Sequence, residues 1–256
     1  MSLTGKTKAS TYKDIIQIDN SNSGVDTTIR VLKDGEGTSS ALAMSDDQIR
    51  IKPQNDDTTS VVEVQDKDGN TLFVVDSTND AVQALGNNVN TNYETFGTVF
   101  DGASASTHIA LYNTGIARGG DEPAIGTGTD PDTTLTVSAG GDDYTSCYWY
   151  VADDLTLDAV HFFVASGGNT PKTVRCHLMS YDVDTANGTT SGDLSNGTVL
   201  ADGSDITGIN DRAIDYQSMT IQSANVDSGK VILATFFQDD ATDKITINMR
   251  VKYHLR

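Results

Sequence analysis

Proline is scarce in this chain, at 4 of 256 residues, and there are only one tryptophan and two cysteines. No apolar run approaches the roughly 20 residues of a membrane-spanning helix, so membrane insertion is not expected. Cys147 and Cys176 form no CxxC pair and no Cys/His cluster, which argues against a structural zinc site. Both fall at inward positions of strand-like runs and read as buried free thiols. Basic residues are few, 17 against 36 acidic ones, for a net charge of −19. Phosphate contact needs a basic face, so this balance argues against nucleic-acid binding. The first residues carry lysines without an apolar stretch behind them, so no secretory signal is expected and assembly in a cytoplasm is. A 3.6-residue apolar period is nowhere sustained, which excludes a helical fold.

What the chain has is small polar residues between short apolar runs: 23 glycines, with frequent Ser, Thr, Asn and Asp. This is the pattern of all-β structure joined by turns. Residues 86–95, GNNVNTNYET, lack an apolar period and read as a linker. Before them, in residues 1–85, short strands are predicted at 14–19, 28–32, 41–44, 48–51, 61–65, 71–76 and 81–85. The clearest hairpin is VVEVQ–DKDGN–TLFVVD, where Asp-Gly and Gly-Asn supply the positive φ of a tight turn. Large apolar residues are sparse here, and Tyr12 and Phe73 are the only aromatics. So thin a segment is marginal alone and gains stability by winding with further copies or docking on a larger body.

Residues 96–256 are richer. Strands are predicted at 135–138, 144–152, 155–165, 172–182, 214–222, 230–238 and 244–255, with long loops at 119–132 and 188–203. Residues 244–255 alternate strictly, with Ile245, Ile247, Met249, Val251, Tyr253 and Leu255 on one face. Residues 231–237 are apolar on both faces and read as a central strand. Together these point to an antiparallel β-sandwich of jelly-roll type.

No catalytic constellation emerges. Gly5-Lys6-Thr7 resembles the end of a phosphate loop, but its first glycine would precede Met1. His177 and His254 point away from the apolar sides of their strands, and there is no G-x-S-x-G elbow. The pairs Asp142/Asp143, Asp153/Asp154 and Asp239/Asp240 sit at turns, where aspartate accepts local backbone hydrogen bonds. No cofactor is expected, with one candidate exception. The stretch from Asp182 resembles the start of a Ca²⁺ loop, and Asp182, Asp184 and Asp193 are its candidate ligands, although Ala186 stands where a fifth-place ligand belongs. Tyr144, Tyr148 and Tyr150 share one strand face and Cys147, Trp149 and Val151 the other. With the second set inward, the tyrosines form a candidate surface for a glycan or a protein partner. Charge is uneven as well. Lys6, Lys8 and Lys13 stand in an N-terminal tip with no acid, whereas residues 119–229 hold 17 acidic residues against three bases. The tip is therefore a candidate docking element for an acidic partner.

The hairpin of residues 61–79, a strand, a D-x-x-G-N turn and L-F-x-V-D-x-x-N, resembles the repeat of bacteriophage fibre and head-fibre proteins. The opening SLTGKTKASTYKDIIQIDNSNSGVD, with DGEGTSSALAMSDDQIRIKP after it, is similar to the N-termini of structural proteins of tailed phages, marine ones especially. The likeness covers about residues 2–85. It implies a virion protein, a homotrimer whose first part attaches to other virion proteins of the capsid or tail, and whose last part faces a host-surface glycan or protein. The expected product is a short, non-enzymatic fibre, since a long shaft is missing. Its rivals are a capsid decoration protein and, further off, a surface polysaccharide depolymerase.

Overall fold

Aspartate-centred turns shape the first part of the chain. At Asp34 the carboxylate accepts the backbone N–H groups of Glu36 (2.9 Å) and Thr38 (2.8 Å), and at Asp66 those of Asp68 and Asn70 (both 2.9 Å). In both loops the fourth residue is a glycine at positive φ, Gly37 at 89° and Gly69 at 86°, where a Cβ would be strained. The two loops are thus the same device used twice. Hydrogen bonds hold both carboxyls below the usual carboxylate range, chiefly the Asn70 side-chain amide (2.9 Å) at Asp66 and the Thr38 N–H at Asp34.

The computed structural model describes residues 13, 15–21, 23–113, 122–137, 144–167, 172–209, 214–240 and 244–256. The chain divides into two compact units, Met1–Val89 and Asn90–Arg256, and it is all-β. Among the described residues no helix is long and apolar enough to cross a membrane.

The first unit holds two four-stranded antiparallel sheets. One is β1 (Gln17–Ile18), β2 (Arg30–Lys33), β3 (Ser39–Met44) and β4 (Ile49–Ile51); the other is β5 (Val62–Gln65), β6 (Thr71–Asp76), β7 (Ala81–Ala84) and β8 (Asn87–Asn88). Each is a meander in chain order. The Asp34 loop joins β2 to β3 and the Asp66 loop joins β5 to β6, as the hairpin signal predicts. In the second sheet, Val62 pairs with Val75 and Val75 with Val82, while Val64 pairs with Phe73 and Phe73 with Ala84. Directly paired residues share a face, so this face is apolar, and the opposite one carries Glu63, Val74 and Gln83.

The second unit contains β9 (Thr91–Phe100), β10 (Ile109–Ala110), β11 (Trp149–Tyr150), β12 (Leu155–Gly167), β13 (Lys172–Val183), β14 (Leu194–Asp202), β15 (Ile206–Ile209), β16 (Ile214–Ser218), β17 (Thr220–Ile221), β18 (Asn225–Val226), β19 (Lys230–Gln238) and β20 (Lys244–Leu255). One sheet runs β16-β12-β20-β9. The other runs β10-β19-β13-β14-β17, with β11 and β15 attached to β19 and β13. Along the chain the long strands alternate between sheets as β9, β10, β12, then β13 and β14, then β16, β19 and β20. That order, with β9 beside β20, is the double Greek key of a jelly roll.

The core lies between the two sheets. Phe96 and Phe100 of β9, Phe162 of β12 and the alternate residues Ile245, Ile247, Met249 and Val251 of β20 face it from one side. Cys176, Leu178, Ile232, Ala234 and Phe236 face it from the other. Ring contacts join the layers: Phe100 to Phe236 at 5.9 Å, and Trp149 to Phe96 at 6.3 Å and to Tyr253 at 4.9 Å. Both cysteines are free and buried.

Three expectations need correction. Residues 86–95 are not a linker: they contain β8 and the first half of β9, whose polar residues 91–95 pair backbone to backbone with β20. Residues 188–203 are not all loop, because 194–202 form β14. That strand escapes a periodicity reading because its register against β13 shifts twice, Asn196 has φ 53°, and Gly197 lies under the Tyr181 ring. A Cβ on Gly197 would stand 2.6 Å from that ring and 2.7 Å from Thr133. Of residues 144–152 only Trp149–Tyr150 is strand, and Tyr144 opens a turn closed by Cys147 N–H to Tyr144 O at 2.8 Å. One expectation that holds carries a surprise: His177 points away from the sandwich interior, as its parity predicts, and is nevertheless fully buried.

The cause of that burial is a second layer of cover. Residues 122–137 lie across the outer face of the β19-β13-β14 sheet. They are held by the Leu135–Leu194 backbone pair (2.9 and 2.8 Å), Gly197 N–H to Thr133 O (2.9 Å) and Tyr181 Oη–H to Asp132 O (2.9 Å). This cover is why β19 is buried on both faces from Val231 to Phe236.

Candidate functional site

The sequence-predicted tyrosines do not act as one set. Tyr144 donates its hydroxyl to Ala124 O (2.9 Å) and Tyr148 donates to Gly192 O (2.8 Å). Burial pushes the Tyr148 hydroxyl far above the usual phenol range. Only Tyr150 is widely exposed, at 55%. Trp149 faces inward against Phe96 and Tyr253, and Val151 and Cys147 are buried.

The three aspartates at the candidate calcium loop are engaged separately. Asp182 accepts from Lys230 Nζ and from Asn196 Nδ2 (2.7 Å), which hold it below the usual carboxylate range. Asp184 is lowered likewise by Thr190 Oγ1 (2.7 Å) and Ala186 N–H (2.8 Å). Asp193 accepts Val137 N–H at 2.8 Å. Among the described residues no three His, Cys, Asp or Glu side chains converge as a metal site. Lys6 and Lys8 lie outside the described residues, as do Asp142 and Asp143. Lys13 forms an ion pair with Glu36. Asp154 and Asp239 accept backbone N–H groups of Ser228 and Thr173 (both 2.7 Å), which come from distant parts of the chain rather than from their own turns.

A buried histidine pair gathers several titratable groups. His108 and His177 meet edge to face at 5.1 Å beneath residues 122–137. His108 Nε2 lies 3.1 Å from Gly128 O. His177 Nε2 lies 3.4 Å from an Asp130 oxygen and 3.3 Å from an Asp202 oxygen. These separations are long for a hydrogen bond, and neither nitrogen of His177 has a well-formed one. Desolvation therefore outweighs the two carboxylates. It pushes His177 down to about 4, with His108 adding to the effect, and pushes Asp202 up. A cleft of about 270 Å³ opens beside the pair, lined by Gly128, Thr129, Thr173, Arg175, Asp205 and Asp239. Arg175 is engaged by Asp205 at 2.7 Å. Cys176, next to His177 in sequence, faces the sandwich interior, and burial pushes its thiol far up.

Two uncovered surfaces remain. In the first unit, Ala43 is the one hydrophobic residue that is buried among the described residues. Ile16 (71%), Ile49 (67%) and Leu85 (74%) are largely exposed, and Leu42, Ile51, Val64 and Val82 are also in water. In the second unit, the outer face of the β16-β12-β20-β9 sheet carries Phe163, Ile214 and Tyr216, all at least half exposed. Sequence reasoning missed this patch. The signal was present in His161-Phe162-Phe163: two successive strand residues face opposite ways, so one of the two phenylalanines has to point outward.

No protein-family model matches the chain, and no curated protein matches it. Among solved structures it aligns with the CBM22-1-GH10 modules of Clostridium thermocellum endo-1,4-beta-D-xylanase 10B complexed with xylohexaose (TM-score 0.26, 13% identity, 65% of this chain). It spans only 26% of that chain's length. It also aligns with empty-head turnip yellow mosaic virus (TM-score 0.23, 9% identity, 68% of this chain and 85% of that one). A second turnip yellow mosaic virus structure gives a TM-score of 0.21 at 10% identity over the same shares. A virus and a xylanase are thus among its structural neighbours, each resembled weakly, and similarity at this level carries no argument about function.

Proposed function

We propose that the chain is a non-enzymatic virion structural protein of a tailed bacteriophage. In this reading it is a short trimeric fibre, attached through its first unit, with the jelly roll as a binding head for the host surface. The observation that carries the reading is the want of a core among the first unit's described residues. Its β5–β8 sheet has an apolar face of Val62, Val64, Phe73, Val75, Val82 and Ala84, none of them buried. Fully burying one Val, Leu or Ile side chain contributes roughly 1.5–3 kcal/mol, so covering this face and Ile16, Ile49 and Leu85 is worth several such contributions per chain. Identical copies offer the matching surface, and three copies carry three heads on one stem. Binding then gains by effective concentration rather than by the strength of any single contact. The likeness of residues 61–79 to the phage fibre repeat, within a stretch 2–85 similar to the N-termini of tailed-phage structural proteins, supports the same reading.

Light scattering of the purified chain tests it. The expected mass is about three times 27.2 kDa, and a mass of one chain overturns the trimer. Cryo-electron microscopy of particles carrying the protein gives its location. Deleting it should lower adsorption to host cells; lost capsid stability with normal adsorption would point to a decoration protein.

A further inference from the structure

The outer face of the β16-β12-β20-β9 sheet has the make-up of a ligand platform. Strand register sets Tyr216, Phe163, Asn248 and Gly97 side by side across four strands. Three inter-strand steps of about 4.8 Å make this row roughly 14 Å long. Phe163 (50% exposed) and Tyr216 (55%) form its apolar half, with ring centroids 5.1 Å apart. Tyr216 is pinned, since its hydroxyl lies 2.8 Å from His161 Nδ1 and its ring stacks on the imidazole at 5.7 Å and 24°. The rings are therefore held ready before any ligand arrives.

The other half of the row is polar and open. Asn248 is exposed, and at Gly97 no side chain rises from the sheet. In the neighbouring row Arg250 lies directly opposite His161 and is also exposed. Neither Asn248 nor Arg250 has a side-chain partner among the described residues, and both keep their donors free.

We infer that this face binds carbohydrate, with a sugar ring lying on Phe163 and Tyr216 and its hydroxyl groups meeting Asn248 and Arg250. A pyranose presents C–H groups on its ring face and hydroxyls at its rim, which matches an aromatic pair beside an amide and a guanidinium. A stable protein interface engages roughly 20–30 residues a side, more than the exposed apolar side chains of this face, Phe163, Ile214, Tyr216, Tyr93 and Val99, supply. The face itself carries Arg250 and Lys252, but the chain as a whole, at a net charge of −19, repels a polyanion at long range, and the hydroxyl-rimmed match to Asn248 and Arg250 needs no anionic group; the ligand class inferred is a neutral glycan.

This inference rests on reading the second unit as a binding head. The test is affinity electrophoresis of the intact protein through gels containing laminarin, hydroxyethyl cellulose or xyloglucan, with alginate as the polyanion. Retardation by at least one neutral polysaccharide is expected. Tyr216→Ala and Phe163→Ala should each weaken it about tenfold, with Trp149 fluorescence unchanged as the sign of an intact head. Tyr216→Phe keeps the ring and should retain most of the binding. The inference is overturned by no retardation in any gel, by retardation in alginate alone, or by retardation that both alanine variants leave untouched. A fall in assembled mass for Tyr216→Ala would instead make the face a contact between copies. A protein that is trimeric and adsorbs to cells but passes all gels unretarded sinks the glycan site alone. One that is retarded yet monomeric sinks the fibre reading alone.

Discussion

The two units solve the same problem, how to bury one face of a sheet, in different ways. The second unit closes two sheets on each other and adds a further cover of residues 122–137, so that β19 is buried on both faces. The first unit has sheets with legible apolar faces and, among its described residues, nothing of its own to cover them. The difference teaches that a β segment's stability is set by what covers its faces, more than by its turns or its strand propensity. The first unit has well-built turns at Asp34 and Asp66, and its described residues still form no core.

Trp149 sharpens this comparison experimentally, because the only tryptophan sits in the second unit's core and reports on that unit alone. The largest expected effect is Phe162→Ala. Removing a fully buried ring should cost roughly 3–5 kcal/mol, seen as an earlier urea midpoint in Trp149 fluorescence that does not depend on protein concentration. A trimer built by the first unit should survive it in light scattering.

Acid comes next. His177 titrates near 4 in the folded chain and near 6.5 when unfolded. Between those values the unfolded chain takes up a proton that the folded chain refuses, so stability falls as pH falls from 6.5 to 4, by up to roughly 3 kcal/mol. Above 6.5 this contribution is constant. Urea titrations followed by Trp149 at pH 7 and pH 4.5 measure it, and His177→Gln should flatten the acid limb.

The converse of the core substitution is Val64→Asp with Val82→Asp, which charges the uncovered face of the first unit. Scattering should fall from three chains to one while the Trp149 urea midpoint stays put. A mass that does not change would mean those faces are not what holds the copies together. The smallest effect belongs to Asp66→Ala. It removes the acceptor of the Asp68 and Asn70 N–H groups in an exposed turn, and should lower the melting temperature of the first unit slightly while sparing the second.

Legibility in the sequence followed the same divide. Strands β19 and β20 coincide with residues 230–238 and 244–255, because a strict period of two, or an apolar run between turn signals, survives without knowledge of neighbours. The Asp66 hairpin was equally plain, being local. The histidine pair was not. Parity correctly set His177 off the sandwich interior, but only the cover by residues 122–137, a tertiary fact, makes that side dry. The Phe163–Tyr216 platform was hidden for two reasons. Its rings lie 53 positions apart, and an irregularity between Leu157 and Ala159 shifts the alternation of β12 before Phe163 is reached. For the tyrosines at 144, 148 and 150, the period of two was read through a turn, where it has no meaning.

The place of β20 between β12 and β9 has a consequence for biosynthesis. The jelly roll cannot complete the β16-β12-β20-β9 sheet until residues 244–255 have emerged from the ribosome, whereas the hairpins of the first unit need only neighbours a few residues away. Local hairpins form in microseconds and long-range pairing waits on loop closure. On the reading that copies join through their first units, nascent chains on one message expose those hairpins while the longer second units are still being made, and assembly then precedes any finished head.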